Sequence, residues 1–227
     1  MFHNNTIQIS NDAIFIADAH FNDNRKELKH LLLKIKNHKI NTSQIFLMGD
    51  IFDLLTFQIT YFVNKNKDII SLINRLSQDI QIVYLEGNHD FNIKVLFPNI
   101  KVISRNKQPL ICEYKDKKVS LSHGDIFTPF GYNLYTLFIR NKILLNILNI
   151  IDINNWLSIK IDDWLKQKRI YNKCDDFNKF AKSRISLYSN DIDVIMEGHF
   201  HYGHRYKCYI NLPSLACTNE YYRLDIE

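Results

Sequence analysis

The 227-residue sequence predicts a layered α/β fold, on three observations. Five short aliphatic or β-branched runs, Asp12–Asp18, Gln44–Asp50, Gln81–Gly87, Val119–His123 and Asp193–Gly198, each stop at a polar cluster. Amphipathic helical patterns separate the first three runs, so the N-terminal part reads β-α-β-α-β. A long helical block, about residues 130–188, stands between strand-bearing segments and reads as an insertion into a single domain over residues 1–227.

Each element has its own warrant. The runs are nearly continuous in apolar residues, the pattern of strands buried on both faces. The first helix is expected over Arg25–His38, where Leu28, Leu31, Leu32 and Ile35 share one face and lysines take the other. Asp23 or Asn24 is the expected cap at its start. The second helix is expected over Lys67–Gln78, with Ile69, Ile70, Ile73 and Leu76 on one side. Past Pro98, Gln108–Tyr114 and Lys117–Leu121 flank a Lys-Asp turn and predict a hairpin. Tyr132–Leu187 reads helical throughout, with no strand pattern and no proline. Strands return at Asp193–Gly198, Arg205–Leu212 and Tyr221–Ile226.

A content of 46% hydrophobic and 23% charged residues excludes a disordered, collagenous or low-complexity chain. The net charge of +5 is compatible with a phosphate-rich substrate or an anionic surface and requires neither. Lysine outnumbers arginine, which reads as compositional drift. Cys112, Cys174, Cys208 and Cys217 fit neither a zinc knuckle nor a redox pair, and read as small thiols in a reducing compartment. Met1–Ser10 lacks the basic start and apolar run of a secretion signal. Leu134–Ile161 is too often interrupted to form a span of ~20 apolar residues. The expected localisation is cytoplasmic. Only six glycines are present, and four of them, Gly49, Gly87, Gly124 and Gly198, adjoin the polar clusters, where tight turns and close backbone approach are needed.

The clusters are Asp18-Ala19-His20, Gly49-Asp50 with Asp53 shortly after, Gly87-Asn88-His89-Asp90, His123-Gly124-Asp125 and Gly198-His199-Phe200-His201. Sites in α/β sheets form outside the carboxyl ends of the strands, so five strand ends can converge on one crevice. They would gather Asp18, His20, Asp50, Asn88, His123, His199 and His201 as candidate ligands, with His89 nearby. Carboxylate, amide and imidazole donors together suit borderline divalent ions such as Mn, Fe or Zn, whereas calcium takes oxygen alone. Seven ligands exceed one tetrahedral zinc and suit two ions sharing a carboxylate. Two ions ~3.5–4 Å apart clamp a phosphoryl group during in-line displacement.

By these five blocks, spanning Asp18 to His201, the chain resembles the calcineurin-like metallophosphoesterases, whose pattern is D-x-H, G-D-x-x-D, G-N-H-[DE], H and G-H-x-H. The resemblance implies a four-layer αββα sandwich with the metals at its edge. It implies that Asp18, His20 and His201 bind one ion, that Asn88, His123 and His199 bind a second, and that Asp50 bridges. It makes His89 the catalytic histidine, with Asp90 orienting it, and brings Asn88, His89 and His199 against substrate. Asp53 and Asp125 are expected to brace ligands rather than bind metal. The expected pair is Mn2+, with Fe or Zn as alternatives.

Within the helical block, Leu134–Ile151 carries Lys142, Asn146 and Asn149 as one narrow stripe and is otherwise mostly apolar, so it must be buried or face lipid. Trp156 and Trp164 beside Lys160, Lys166, Lys168 and Arg169 suit a membrane interface. Length, motif order and the place of this block after His123-Gly124-Asp125 resemble one subfamily, the bacterial UDP-2,3-diacylglucosamine pyrophosphohydrolases of lipid A synthesis. There a helical lid holds the acyl chains. The resemblance implies hydrolysis of UDP-2,3-diacylglucosamine to UMP and 2,3-diacylglucosamine 1-phosphate by a peripheral protein on the cytoplasmic face of the inner membrane. One residue departs from it: the subfamily usually carries arginine where this chain has His89. A sugar-phosphate leaving group needs no proton, whereas an alkoxide does. His89 therefore keeps open a general phosphoesterase acting on nucleotides or other soluble phosphoesters. Basic residues are not gathered with aromatics outside the helical block, so no nucleic-acid partner is expected.

Overall fold

The computed structural model describes residues 6–171 and 173–225. In chain order the elements are β1 (Ile7–Gln8), β2 (Ile14–Ile16), α1 (Glu27–Lys36), β3 (Gln44–Leu47), α2 (Thr60–Lys65), α3 (Lys67–Leu76), β4 (Gln81–Leu85), β5 (Lys101–Ile103), β6 (Leu110–Tyr114), β7 (Lys117–Ser122), α4 (Phe130–Ile139), α5 (Lys142–Ile151), α6 (Trp156–Gln167), α7 (Phe177–Ile185), β8 (Val194–Glu197), β9 (Arg205–Tyr206), β10 (Tyr209–Asn211), α8 (Leu215–Thr218) and β11 (Tyr222–Arg223). They build two sheets, ordered β1-β6-β7-β8-β10-β9 and β11-β2-β3-β4-β5. Both are mainly parallel; β11–β2, β6–β7 and β9–β10 are the antiparallel pairs.

The period of two along each strand decides which layer a side chain joins. Ile14, Ile16, Ile45, Leu47, Ile82 and Tyr84 face the helix side, where Leu28, Leu31, Leu32 and Ile35 of α1 and Ile69 and Ile73 of α3 cover them. Their alternates Phe15, Phe46, Met48, Val83 and Leu85 face the second sheet and meet Val119, Leu121, Val194, Met196 and Ile210. On that sheet's far side Ile195 and Tyr209 pack under Ala181, Phe177 and Phe180 of α7. The layers are therefore α, β, β, α, and within the runs expected to be buried on both faces the strands β2, β3 and β8 are buried at every residue. Each fully covered Leu, Ile or Phe contributes about 1.5–3 kcal/mol.

Several local expectations change. α1 has Lys26 at its N-cap without a side-chain cap; instead Asn22 Oδ1 accepts from the amides of Asn24 and Arg25 at 2.7 and 2.8 Å. α2, β1 and β5 are additional short elements, held by tertiary contacts that a periodicity search over so few residues does not reveal. Arg205–Leu212 is not one strand but the hairpin β9–β10, because Lys207 takes a left-handed φ of 53°. The last residue of the expected Tyr221–Ile226 strand lies outside the described residues.

The helical block is two structures. α7 is the outer layer of the second sheet, while α4, α5 and α6 stand apart from both sheets and form a lid. Leu134–Ile151 is broken rather than continuous: α4 and α5 meet at 52°, and Asn141 caps α5 through the amides of Ile143 and Leu144. Among the described residues no single helix is long and apolar enough to cross a membrane, although the bent α4–α5 pair matches such a span in length and composition. Only a few lid residues, Leu145 chiefly, pack down onto Ile59, Phe62 and Phe91. Many apolar lid residues point outward: Phe130 is 83% exposed, Leu137 72%, Ile143 72% and Ile150 77%.

Candidate metal centre

The parallel strands of both sheets end along one edge, and β2, β3, β4, β7 and β8 each deliver a polar loop there. Asp18 and His20 follow β2, Asp50 follows β3, Asn88 and His89 follow β4, His123 follows β7, and His199 and His201 follow β8. All seven candidate ligands converge. Asp18, His20 and His201 form one group whose donor atoms lie within 4.8 Å of one another, and Asp50, His123 and His199 form another. Asp50 Oδ2 stands 4.0 Å from His20 Nε2 and 3.5 Å from His123 Nε2, between the two groups. Asn88 Oδ1 joins the second group at 3.1 Å from His123 Nε2. His89 is a further neighbour, grouped with His20 and Asp50.

The donor set fits a cation pair because its members are mutual acceptors. Nδ1 of His123 faces the Met48 carbonyl at 3.0 Å and Nδ1 of His201 faces the Ile170 carbonyl at 2.6 Å. Those nitrogens must donate, which turns Nε2 of both rings inward. There His201 Nε2 meets Asp18 Oδ1 at 3.2 Å and His20 Nε2 at 3.4 Å, and His123 Nε2 meets His199 Nδ1 at 3.3 Å. Lone pairs so close require protons or cations between them. Burial alone would strip His123 and His201 of charge, but the carboxylates of Asp50 and Asp18 outweigh it and push their pKa values up to about 10 and about 11. Burial and the adjacent His123 charge drive His199 down to about 4. Burial opposes ionisation of Asp50, yet the surrounding imidazoles of His123, His89 and His20 hold it well below the carboxylate range.

Asp90 does not orient His89, contrary to expectation. The His89 ring is set by the backbone carbonyl of Asp53, 2.5 Å from Nδ1. The Asp90 carboxylate instead accepts from the amides of Asp50, Ile51 and Gly87 and from the Tyr84 hydroxyl. It thereby locks the β3 and β4 loops together, and Asp50 Oδ1 returns a contact to the His89 amide at 2.8 Å. Burial first, then the charge of Asp50, raises Asp90 to about 7. Gly87 is obligatory here: a Cβ would fall 2.2 Å from Asp50 Oδ1.

Asp53 braces a ligand as expected, whereas Asp125 pairs with arginines. Asp53 lies 3.5 Å from His20 Nδ1 and takes both oxygens' bonds from Arg25. Asp125 accepts from Arg105 Nε at 2.9 Å. Glu197 is fully buried and gathers Arg184, Tyr188 and Tyr209; Arg184 also donates to the Gly124 carbonyl at 3.1 Å. Sequence reasoning missed these arginines. The available signal was their scarcity: eight arginines stand among 29 basic residues, and Arg25, Arg105, Arg140 and Arg184 each donate to a backbone carbonyl of a loop that carries candidate ligands. A planar fork can satisfy two acceptors at once where an ammonium cannot.

Above the ligands is a cleft of about 300 Å³, lined by His20, Asp50, Asn88, His89, His199 and His201 below and by Lys168, Arg169 and Ile170 from the loop after α6. Two cationic residues, Lys168 and Arg169, thus line the cleft, the Lys168 ammonium lying over the Trp164 ring at 5.7 Å, and a loop of this charge suits a phosphorylated, anionic ligand.

The architecture and this edge of facing carboxylates and imidazoles fit a metal-dependent phosphoesterase. The chain belongs to the calcineurin-like phosphoesterases, whose family model matches residues 13–203. That family implies divalent metals. The chain is similar, at 23% identity over 201 residues, to a UDP-2,3-diacylglucosamine hydrolase of Histophilus somni, covering 83% of each chain. It is 27% identical over 114 residues to a protein of the same name from Coxiella burnetii, a match spanning 50% of this chain and 46% of that one, so it covers about half the length of that relative. A third such relative, from Pseudomonas fluorescens, is 26% identical over 141 residues, 60% of this chain and 55% of that one. A solved protein of unknown function from Aquifex aeolicus covers 91% of both chains at 15% identity, with a TM-score of 0.46.

Proposed function

We propose that this phosphoester hydrolase acts on UDP-2,3-diacylglucosamine, releasing UMP and 2,3-diacylglucosamine 1-phosphate, at the cytoplasmic surface of the inner membrane. The observation that carries the proposal is the exposed apolar face of α4 and α5, on a lid whose other end places Lys168 and Arg169 beside the candidate metal site. A water-soluble substrate gives no reason for such a face, whereas acyl chains and a membrane surface do. Trp156 and Trp164 are both exposed, each under a lysine, Lys160 and Lys168, at 5.3 and 5.7 Å from the ring centres. Four free cysteines accord with the cytoplasm.

The ligands fit two divalent ions, for which we propose Mn2+; when bound, they supply charge neutralisation at the phosphoryl oxygens. Asp18, His20 and His201 would hold one, Asn88, His123 and His199 the other, and Asp50 both. The chain's own part is orientation. Lys168 and Arg169, from the loop after α6, border the cleft where the second phosphate would lie, Asn88 and His199 line its floor, and the cleft stays open to the water that hydrolysis consumes. His89, its Nδ1 held by the Asp53 carbonyl, presents Nε2 toward the cleft to stabilise or protonate the departing oxygen.

That geometry favours a second reading, a phosphoesterase for nucleotides or other soluble esters, since a proton donor matters most for an alkoxide leaving group. Purified protein with Mn2+ and UDP-2,3-diacylglucosamine in detergent micelles is expected to release UMP. Absence of UMP alongside turnover of a soluble phosphodiester would reject the first reading in favour of the second.

A further inference from the structure

We infer that Arg140, at the end of lid helix α4, is a positioning residue for the second metal subsite, so that the lid and the Asn88–His123 pair move as one unit. Its guanidinium is inserted under the site, with its side chain 14% exposed. Nη2 donates to the Gly87 carbonyl at 2.7 Å, the peptide immediately before Asn88. The same nitrogen lies 3.7 Å from Asp125 Oδ2, two residues past His123, and Nη1 lies 3.9 Å from Glu86 Oε2. The plane lies over the Phe91 ring at 5.3 Å, and Asn92 Nδ2 returns a bond to the Arg140 carbonyl at 2.9 Å. The β4 loop therefore grips both ends of this residue. A second arm reinforces it: Arg105 joins Asp125 to Asn133 of α4 at 2.8 Å.

These contacts span the loops that deliver Asn88 and His123, whose side chains meet at 3.1 Å. The Gly87 peptide has little freedom, wedged against Asp50, so displacing its carbonyl displaces Asn88. None of the Arg140 contacts reaches Asp18, His20 or His201. The first subsite has its own arginine: Arg25 donates Nε to the His20 carbonyl at 3.0 Å and Nη2 to Asp53. The two subsites are thus held by different groups: Arg140 of the lid bonds the loop that carries Asn88, whereas the first is held by Arg25, which also reaches the Leu165 carbonyl of α6 at 3.5 Å, and by the Ile170 carbonyl against His201.

Resting on the two-ion reading of the site but on no particular substrate, the inference is tested by Mn2+ binding to the full chain, measured by metal analysis and electron paramagnetic resonance. Arg140→Met is expected to weaken one of two binding steps by at least ~10-fold and to leave the other within about two-fold, replacing a spin-coupled signal by an isolated one. Placed on His199→Ala, which removes a second-subsite ligand, it should cause no further loss. Placed on His201→Ala, it should abolish what remains. Arg140→Lys keeps the charge without the fork and should show the same selectivity if the methionine variant does not fold. Equal weakening of both steps, no weakening, or loss of the residual ion from the His199→Ala background overturns the inference. A wild-type protein that takes up fewer than two equivalents overturns the two-ion reading and this inference with it.

Discussion

Five of the seven candidate ligands sit at positive φ: Asp18 at 48°, His20 at 41°, Asp50 at 51°, His199 at 66° and His201 at 62°. For residues other than glycine this left-handed region costs on the order of 1 kcal/mol or more, and Asp, Asn and His bear it best. The strain turns each loop sharply off its strand and is tolerated because the surrounding bonds over-determine it, as where Asp18 accepts the His199 amide at 2.9 Å. Gly87→Ala is expected to expel Asp50 from its place between the two groups and to lower bound Mn2+ sharply, measured by metal analysis at limiting Mn2+; full occupancy in that variant contradicts the bridging position. Asp50→Ala should lose metal, whereas His89→Ala should retain it and lose about 10²–10⁴-fold in turnover. Equal metal content and equal activity in the two variants would remove that division of roles.

The lid is the element whose character changed most between sequence and structure. Leu145, with Ile139, Leu148 and Ile161, packs onto Ile59, Phe62 and Phe91, while Phe130, Leu137, Ile143 and Ile150 leave an outward apolar face. The lid is nonetheless latched: Asp162, nearly fully buried, receives Lys65 and Lys166, and Lys166 and Lys65 both reach Asp23 at 3.2 Å. Leu137→Glu with Ile150→Glu should leave thermal stability within about 0.5 kcal/mol per site, since both side chains are solvated. The same pair should cut co-sedimentation with anionic vesicles and activity on an acylated substrate, while sparing a soluble phosphodiester. Unchanged vesicle binding would count against the membrane role.

For the whole molecule, bound metal and folding are linked. Mn2+ at about 100 times its dissociation constant adds about 2.7 kcal/mol, which for a chain of this size raises Tm by about 5–10 °C. Scanning calorimetry with and without chelator measures it. The metal-free protein should behave oppositely with pH. His123 and His201 have pKa values raised to about 10 and about 11 by Asp50 and Asp18 despite burial, so their stabilisation is complete below the ordinary histidine value and is lost as pH climbs toward those values. Metal-free Tm should therefore fall from pH 7 to pH 10, while Mn2+ affinity rises as the competing protons leave; a flat metal-free profile contradicts the protonated pair.

The strand runs, the two amphipathic helices and the five polar clusters were all legible in the sequence, because buried strands and one-sided helices need apolar residues at a fixed period and metal chemistry needs particular donors. Scarce glycine marked the loops for the same reason: at Gly87 no side chain fits. Contacts between residues far apart in the chain were not legible. Nothing local says that Asp53, not Asp90, orients His89, that Asn22 rather than Asp23 or Asn24 closes the turn before α1, or that Arg140 reaches from the lid to Gly87. The lid shows the division most plainly. Composition required that Leu134–Ile151 be buried or face lipid, since water penalises either kind of apolar surface alike. Only the tertiary structure, by bending the chain at Arg140–Asn141 and burying Leu145 while leaving Leu137 and Ile150 outside, decided that its apolar face is presented outward.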